Sequence, residues 1–279
     1  MFLDVDKSLI RYIEGNLSFL QDKPRYFDCG IQIICINGEG TISTGAQHYH
    51  LKTMSELIFW NGSILHLTDA SDDFLVRLLL YPSKIFLQAA ISLDHTYFKY
   101  IMDFPLYEFN EKDIQGWQQI NLWMDMAKML FTSKSLVFRE QMERNYLQSM
   151  LMWIFNSIPE KYISPEKSFT RKQLIFHKFM HLVHQNAKTE HQVTYYAQKL
   201  YISSRYLHEI TVLYAKGKTP KDIIDEQITT EIMVLLNNPN LSIAEIAEIC
   251  KFPDSSYLNR FFKKKTGFPP GKYRNMNGK

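Results

Sequence analysis

Between Ser203 and Gly267 the chain writes one short phrase twice. Ser203-Ser204-Arg205-Tyr206-Leu207-His208-Glu209 returns 51 residues later as Asp254-Ser255-Ser256-Tyr257-Leu258-Asn259-Arg260. Each copy follows an Ala-containing amphipathic stretch, and each is closed by Gly-x-x-Pro, at Gly217–Pro220 and Gly267–Pro270. A duplicated helix, turn, helix unit in the basic end of a chain points to a protein that reads DNA.

The second copy carries the clearer signals. Ser242 and Glu245 form a capping box after Asn237-Asn238-Pro239-Asn240, which predicts a helix starting at Ser242. Ile243, Ile246, Ala247 and Cys250 supply its inner face, and only a residue as small as Ala247 lets a second helix cross closely. A turn at Lys251–Pro253 leads to Asp254, an N-cap candidate, and to a helix ending near Lys265. Leu258, Phe261 and Phe262 point inward there. Ser255 and Ser256 open the helix, and Ser256, Asn259, Arg260 and Lys263 share the outer face. Arginine can donate two hydrogen bonds to a guanine edge and asparagine can pair twice with adenine. Lys263, Lys264 and Lys265 can neutralise phosphates without reading sequence.

The first copy keeps the frame with a different surface. Ala197 stands for Ala247, and Leu207 and Ile210 face inward. Ser204, Arg205, His208 and Glu209 face out. This face is less basic, and its expected contribution is base discrimination more than affinity. Between the copies, Ile224, Ile228, Ile232 and Leu235 recur at helical spacing, so one connecting helix over about 221–236 is expected to hold the two units apart. Recognition helices roughly 34 Å apart can enter successive major grooves.

Charge follows the same division. Residues 171–279 hold 17 Lys and Arg against 9 Asp and Glu, while residues 1–170 hold 15 against 20. Only the C-terminal part is suited to a polyanion. Three cysteines, Cys29, Cys35 and Cys250, lack metal-site spacing and read as small buried hydrophobes in a reducing compartment. No signal peptide or membrane span is expected, and the cytoplasm is the expected location, on the bacterial nucleoid when bound.

Residues 26–90 read as strands, with apolar runs at Ile31–Ile36, Leu57–Trp60 and Phe74–Tyr81 separated by turn signals such as Asn37-Gly38-Glu39-Gly40 and Asn61-Gly62. A small barrel or sandwich is expected. Two helices follow. One is capped by Asn110 and carries Trp117, Ile120, Met124, Ala127 and Phe131. The other, over about 136–157, has two apolar stripes: Phe138, Met142, Tyr146, Ser149 and Trp153, and Leu147, Leu151, Ile154 and Ile158. Two stripes need two partners, one the sheet and the other either the same chain or a second subunit. Residues 158–169 read as a linker, and Thr170 with Gln173 caps a helix running to about Ala187.

From about Lys172 to Arg274 the chain resembles the DNA-binding domain of the AraC/XylS family of bacterial transcription regulators. The resemblance is carried by Leu241-Ser242-Ile243-Ala244-Glu245-Ile246-Ala247, Phe252, Ser256-Tyr257-Leu258-Asn259-Arg260-Phe261-Phe262-Lys263, Gly267-Phe268-Pro269-Pro270 and Tyr273-Arg274. Three departures stand out: Lys251 where the family usually has glycine, Glu209 where a basic residue is frequent, and Glu231-Ile232-Met233 in place of an Arg/Ala-rich pattern. The resemblance implies an α+β protein. Residues 1–157 would form a cupin-like β-barrel with a helical dimerisation pair, and residues 170–279 an all-α domain with two helix-turn-helix motifs joined by a connecting helix. It also implies a homodimer on double-stranded operator DNA, a small-molecule effector in the barrel, and RNA polymerase as a further partner.

For that effector, Trp60, His66, Arg77 and Tyr81 are the candidate contacts, because they flank the later strands. His48, His50 and Glu56 invite a metal-dependent cupin enzyme fused to a DNA-targeting module, as alternate strand residues share a face. Glu56 is too distant for the usual spacing, and no second histidine motif follows. The expectation is therefore no metal, no cofactor and no catalytic residues. A pure interaction protein that has lost DNA binding, suggested by Glu209, is the third reading.

Overall fold

The computed structural model describes residues 9–60, 62–90, 93, 98, 100–102, 104–132, 137–157 and 170–276. The expected linker, 158–169, and Ile158 lie outside the described residues.

Nine strands are described: β1 (Arg11–Gly15), β2 (Arg25–Phe27), β3 (Cys29–Asn37), β4 (Glu39–Ser43), β5 (His48–Lys52), β6 (Ser55–Phe59), β7 (Ser63–Ala70), β8 (Leu75–Pro82) and β9 (Leu106–Glu108). They form two antiparallel sheets, ordered β1-β8-β3-β6-β9 and β2-β7-β4-β5. Gly38, at φ 67°, makes the predicted turn between β3 and β4. Alternation then sorts the side chains by face. Ile31, Ile33, Leu57, Leu78 and Leu80 meet Ile42, Leu51, Leu65 and Leu67 between the sheets. These side chains form one buried cluster between the sheets.

The strand region starts before residue 26, its continuous run stops at Pro82, and a further strand, β9, follows beyond residue 90. The expectation missed β1, and Ser83–Ala90 is a helix, α1, with Ile85, Phe86 and Ala89 buried on one side. After Pro82 the apolar residues take helical rather than alternating spacing.

The outer face of the first sheet is covered by α1, α2 (Ile114–Phe131) and α3 (Arg139–Ser157). In α2 the buried row is the expected Ile120, Met124, Ala127 and Phe131, while Asn110 caps a short 3-10 turn just before it. In α3, Leu147, Leu151 and Ile154 are buried, and so is Tyr146 of the second stripe. That second stripe finds α2 of the same chain. The Tyr146 hydroxyl donates to the Trp123 carbonyl at 2.9 Å, and Trp153 Nε1 donates to Gln119 at 3.1 Å. Phe138 and Ser149 remain exposed. Fully buried Glu143 fastens the start of the sheet to α3, accepting from Ile10 N at 3.1 Å and Arg139 Nε at 2.8 Å.

The C-terminal half is helical: α4 (Arg171–Asn186), α5 (Val193–Lys199), α6 (Ser204–Tyr214), α7 (Pro220–Leu236), α8 (Ile243–Ile249), α9 (Ser255–Thr266) and α10 (Pro270–Met276). The predicted capping boxes at Thr170–Gln173 and Ser242–Glu245 both form, and Thr219–Asp222 adds a third at the start of α7. Ile224, Ile228 and Ile232 of α7 are fully buried, with α4, α5, α6, α8, α9 and α10 packed around them.

The same helix touches the sheet half. Gln227 Oε1 accepts from Ala46 N at 3.1 Å, beside Gly45 at φ +110°, where a Cβ would stand 2.6 Å from that oxygen. Asn237 Nδ2 donates to the Pro24 carbonyl at 2.9 Å.

Ala197 and Ala247 are each 2 % exposed at the points where paired helices cross. Ala247→Leu is expected to lower the unfolding free energy by about 1–3 kcal/mol through overpacking. Urea denaturation measures it, and an unchanged midpoint would rule out a close crossing there.

Candidate nucleic-acid interface

Two helix pairs, α5–α6 and α8–α9, are built alike down to the backbone. Tyr201 and Lys251 sit at the two turns with φ 55° and 54°. Ile202 N then bonds back to the Ala197 carbonyl at 3.0 Å, and Phe252 N to the Ala247 carbonyl at 2.8 Å. Lys251 thus holds a left-handed conformation, at a cost of about 1 kcal/mol for a residue with a Cβ. Ser203 Oγ accepts from Tyr206 N at 3.1 Å and Asp254 Oδ1 from Tyr257 N at 2.7 Å, capping α6 and α9. Leu207, Ile210, Leu258 and Phe262 are fully buried beneath.

On α9, Ser256, Arg260, Lys263 and Lys264 are exposed, and Ser255 and Asn259 are half-buried. The Arg260 guanidinium lies 5.8 Å from the Tyr257 ring centroid, and Asn259 Nδ2 donates to the Ser255 carbonyl at 2.8 Å. Lys265 does not join them. Its ammonium stands 2.8 Å from Oδ2 of buried Asp225 on α7, whose Oδ1 is 2.8 Å from Lys221. Of the three lysines, two are left for an outside anion and one is a strut between α9 and α7.

On α6, Arg205 and His208 are exposed, Ser204 is half-buried, and Arg205 Nε lies 3.5 Å from Glu209 on the next turn. The face also carries two residues that sequence reasoning passed over. Val212 and Leu213, 37 % and 60 % exposed, stand 51 positions before Lys263 and Lys264. Extending the repeat by four residues past Glu209 would have found them.

The four sheet-half candidates do not share one cavity. Trp60 is buried, stacked 5.7 Å from Phe86, and borders a cavity of about 410 Å³ between the sheet and helices α4 and α7, with His184, Lys188 and Glu231 on its far side. Burial drives the His184 imidazole down and the Glu231 carboxyl up from their ordinary values. Tyr81 is fully buried against Phe86, its hydroxyl 3.4 Å from the Phe59 carbonyl. His66 belongs to the second sheet, its Nε2 3.2 Å from the Gln21 carbonyl. Arg77 is held under α2 by Asp125 at 2.9 Å and Asn121 at 3.2 Å.

His48 and His50 share the exposed face of β5, but Glu56 does not join them. His50 faces Glu39 at 3.4 Å, whereas Glu56 is buried on β6 and accepts from Gln32 Nε2 at 2.6 Å. Among the described residues no three His, Cys, Asp or Glu side chains are placed to hold a metal ion. None of the described helices is long and apolar enough to cross a membrane.

Residues 196–276, which hold both α6 and α9, match the family model described as a helix-turn-helix domain. A curated relative, the HTH-type transcriptional regulator YpdC of Escherichia coli (strain K12), is 26% identical over 152 residues, which are 53% of this chain and 52% of the relative. The chain thus spans about half the length of the curated relative it matches. Among solved structures, unsaturated-fatty-acid-bound ToxT from Vibrio cholerae is similar at a TM-score of 0.42 and 15% identity, covering 96% of this chain and 95% of that one. The AraC-like transcriptional activator CuxR is similar at a TM-score of 0.31 and 10% identity, covering 77% and 78%.

The Asp225–Lys265 strut is open to a double-mutant cycle. Asp225→Asn is expected to lower the unfolding free energy by about 1–3 kcal/mol, because it strips two lysines of a buried acceptor. Lys265→Met should cost much less in the Asp225→Asn background, giving a coupling of about 1 kcal/mol. Strict additivity in chemical denaturation would remove the strut.

Proposed function

We propose that the chain is a sequence-specific regulator of transcription that binds double-stranded DNA through α6 and α9. The single observation behind this is the duplicated helix pair on a shared scaffold, with a guanine-competent Arg260 and two uncommitted lysines on one of the outward faces. The base- and phosphate-facing residues are Ser255, Ser256, Asn259, Arg260, Lys263 and Lys264 on α9, with Ser204, Arg205, His208 and Glu209 on α6.

The two helices divide the work. Helix α9 supplies affinity through phosphate neutralisation. Helix α6, with Val212 and Leu213 where its counterpart has lysines, reads base edges: Glu209 accepts from cytosine, and apolar groups meet thymine methyls.

Residues 1–157 serve as a cupin-like sensing and dimerising half, 158–169 as linker, and 170–279 as the DNA-binding half. An exposed apolar row on α2, Leu122, Met126 and Met129, supports a homodimer through that helix. The effector is held against the sheet half, where cavities border the helices. The polar contacts of α7 with Ala46 and Pro24 give an occupant a way to change how the two halves sit, and so promoter occupancy or contact with RNA polymerase. The protein works in the cytoplasm as a regulator rather than an enzyme.

Selection of bound duplexes from a random pool yields the operator. On it, Arg260→Ala is expected to cost about 1–3 kcal/mol and relax preference at one base pair. Unchanged affinity at fixed salt in a gel-shift titration sinks that assignment. Lys263→Met should flatten the slope of log K against log salt by about 0.9, while Lys265→Met leaves it unchanged. Equal flattening by both would return Lys265 to the phosphate contacts.

A further inference from the structure

A cleft of about 790 Å³ opens on the outer face of the first sheet, between the β6–β9 edge and helices α2 and α3. Glu56 lies at its base, with Tyr100, Phe104, Phe109 and Trp153 among its walls. Glu56 is 5 % exposed, and one of its oxygens accepts from Gln32 Nε2 at 2.6 Å. No other hydrogen-bond donor to Glu56 is found among the described residues. Gln32 Oε1 beside it is buried with no partner. The charged groups near the mouth are otherwise engaged or distant from the carboxyl. Glu108 pairs with Lys52 at 3.1 Å, Asp113 accepts from Tyr107 and Asn110, and Lys112 completes the rim.

The base of the cleft therefore offers a carboxyl group with a single amide donor, inside aromatic walls. Aromatic faces attract cations and gain from doing so out of water. An anion would meet Glu56 with no cation beside it. A neutral apolar body would cover the second Glu56 oxygen without giving it a donor, which is costly. A lone carboxylate with one amide is a poor metal site.

We propose that this cleft binds a small organic cation, a protonated amine or amidine on an apolar body, with its N–H groups on Glu56 and its body between Phe104, Phe109 and Trp153. The proposal deepens the reading of the chain as an effector-responsive regulator and rests on that reading for its regulatory meaning. Phe104 connects the cleft to the DNA-binding half, since its ring meets His177 of α4 edge-on at 4.4 Å. Ile58 and Pro105 border both this cleft and the cavity under α4 and α7. Burial also pushes the Glu56 carboxyl up to about 7 from 4.5, so pairing with a cation below neutrality requires release of a proton.

Isothermal titration of the full chain tests this with 2-phenylethylamine and benzamidine, set against neutral 2-phenylethanol and anionic 3-phenylpropionate. Both cations are expected to bind one per chain, with the alcohol and the carboxylate at least tenfold weaker. Affinity for the amine should fall about tenfold from pH 8 to pH 6. Glu56→Gln should lose at least tenfold for the cations while sparing the alcohol, and Trp153→Ala should weaken every probe. Circular dichroism and gel shifts on nonspecific duplex verify that both variants fold. Equal binding of the carboxylate, unchanged amine affinity in Glu56→Gln, or no binding of either cation at millimolar concentration overturns the site. Gel shifts on the selected operator separate the two levels. Intact DNA binding without cation binding defeats the cleft alone, whereas cation binding without DNA binding supports the cleft and defeats the regulator reading.

Discussion

The buried row Ile224, Ile228 and Ile232 on α7 is the contact on which the rest of the molecule depends. Two short helix pairs of seven to twelve residues cannot bury their apolar faces alone, and isolated helices of that length are marginal in water. Packed against one helix of 17 residues, they share a single core with Leu207, Leu258 and Phe262. Because both pairs rest on the same rod, their relative position is set by its side chains. Asp225 reinforces this from the polar side by holding Lys265 at the far end of α9.

That helix also answers to the sheet half. Gln227 is as buried as the core isoleucines, yet its carbonyl oxygen is spent on the backbone of Ala46. A buried amide without that partner would carry a desolvation cost, so the contact orients the two halves rather than merely joining them. In the proposed function this makes α7 the element through which events on the sheet reach the DNA-reading helices. The Glu56 cleft reaches the same half by a second route, through Phe104 and His177.

What was legible in the sequence was local. The capping boxes Thr170–Gln173 and Ser242–Glu245, the cap at Asp254 and the buried row of α2 all depend on residues three or four apart, and all formed as read. The rest depends on distant partners. Lys265 looks like its neighbours Lys263 and Lys264, and only Asp225, forty positions earlier, withdraws it. Trp60, His66, Arg77 and Tyr81 are close in sequence but alternate between faces and sheets, so the fold scatters them. The stripe through Tyr146 and Trp153 needed a partner, and only packing showed that α2 provides it. The segment after Pro82 forms a helix rather than a strand, since a short apolar run has no strong period of its own and its packing decides.

Short-range sequence pattern fixed that one helix pair is written twice, where each copy begins, and that their outer faces differ in charge. Backbone capping and apolar spacing are short-range and leave their marks within a turn or two. The tertiary structure alone decided which of the three lysines of α9 stays free and which becomes a strut. It likewise decided that Glu56 lies in a cleft and not in a histidine cluster. Burial and pairing depend on residues that the chain brings together from far apart, and no local pattern encodes them.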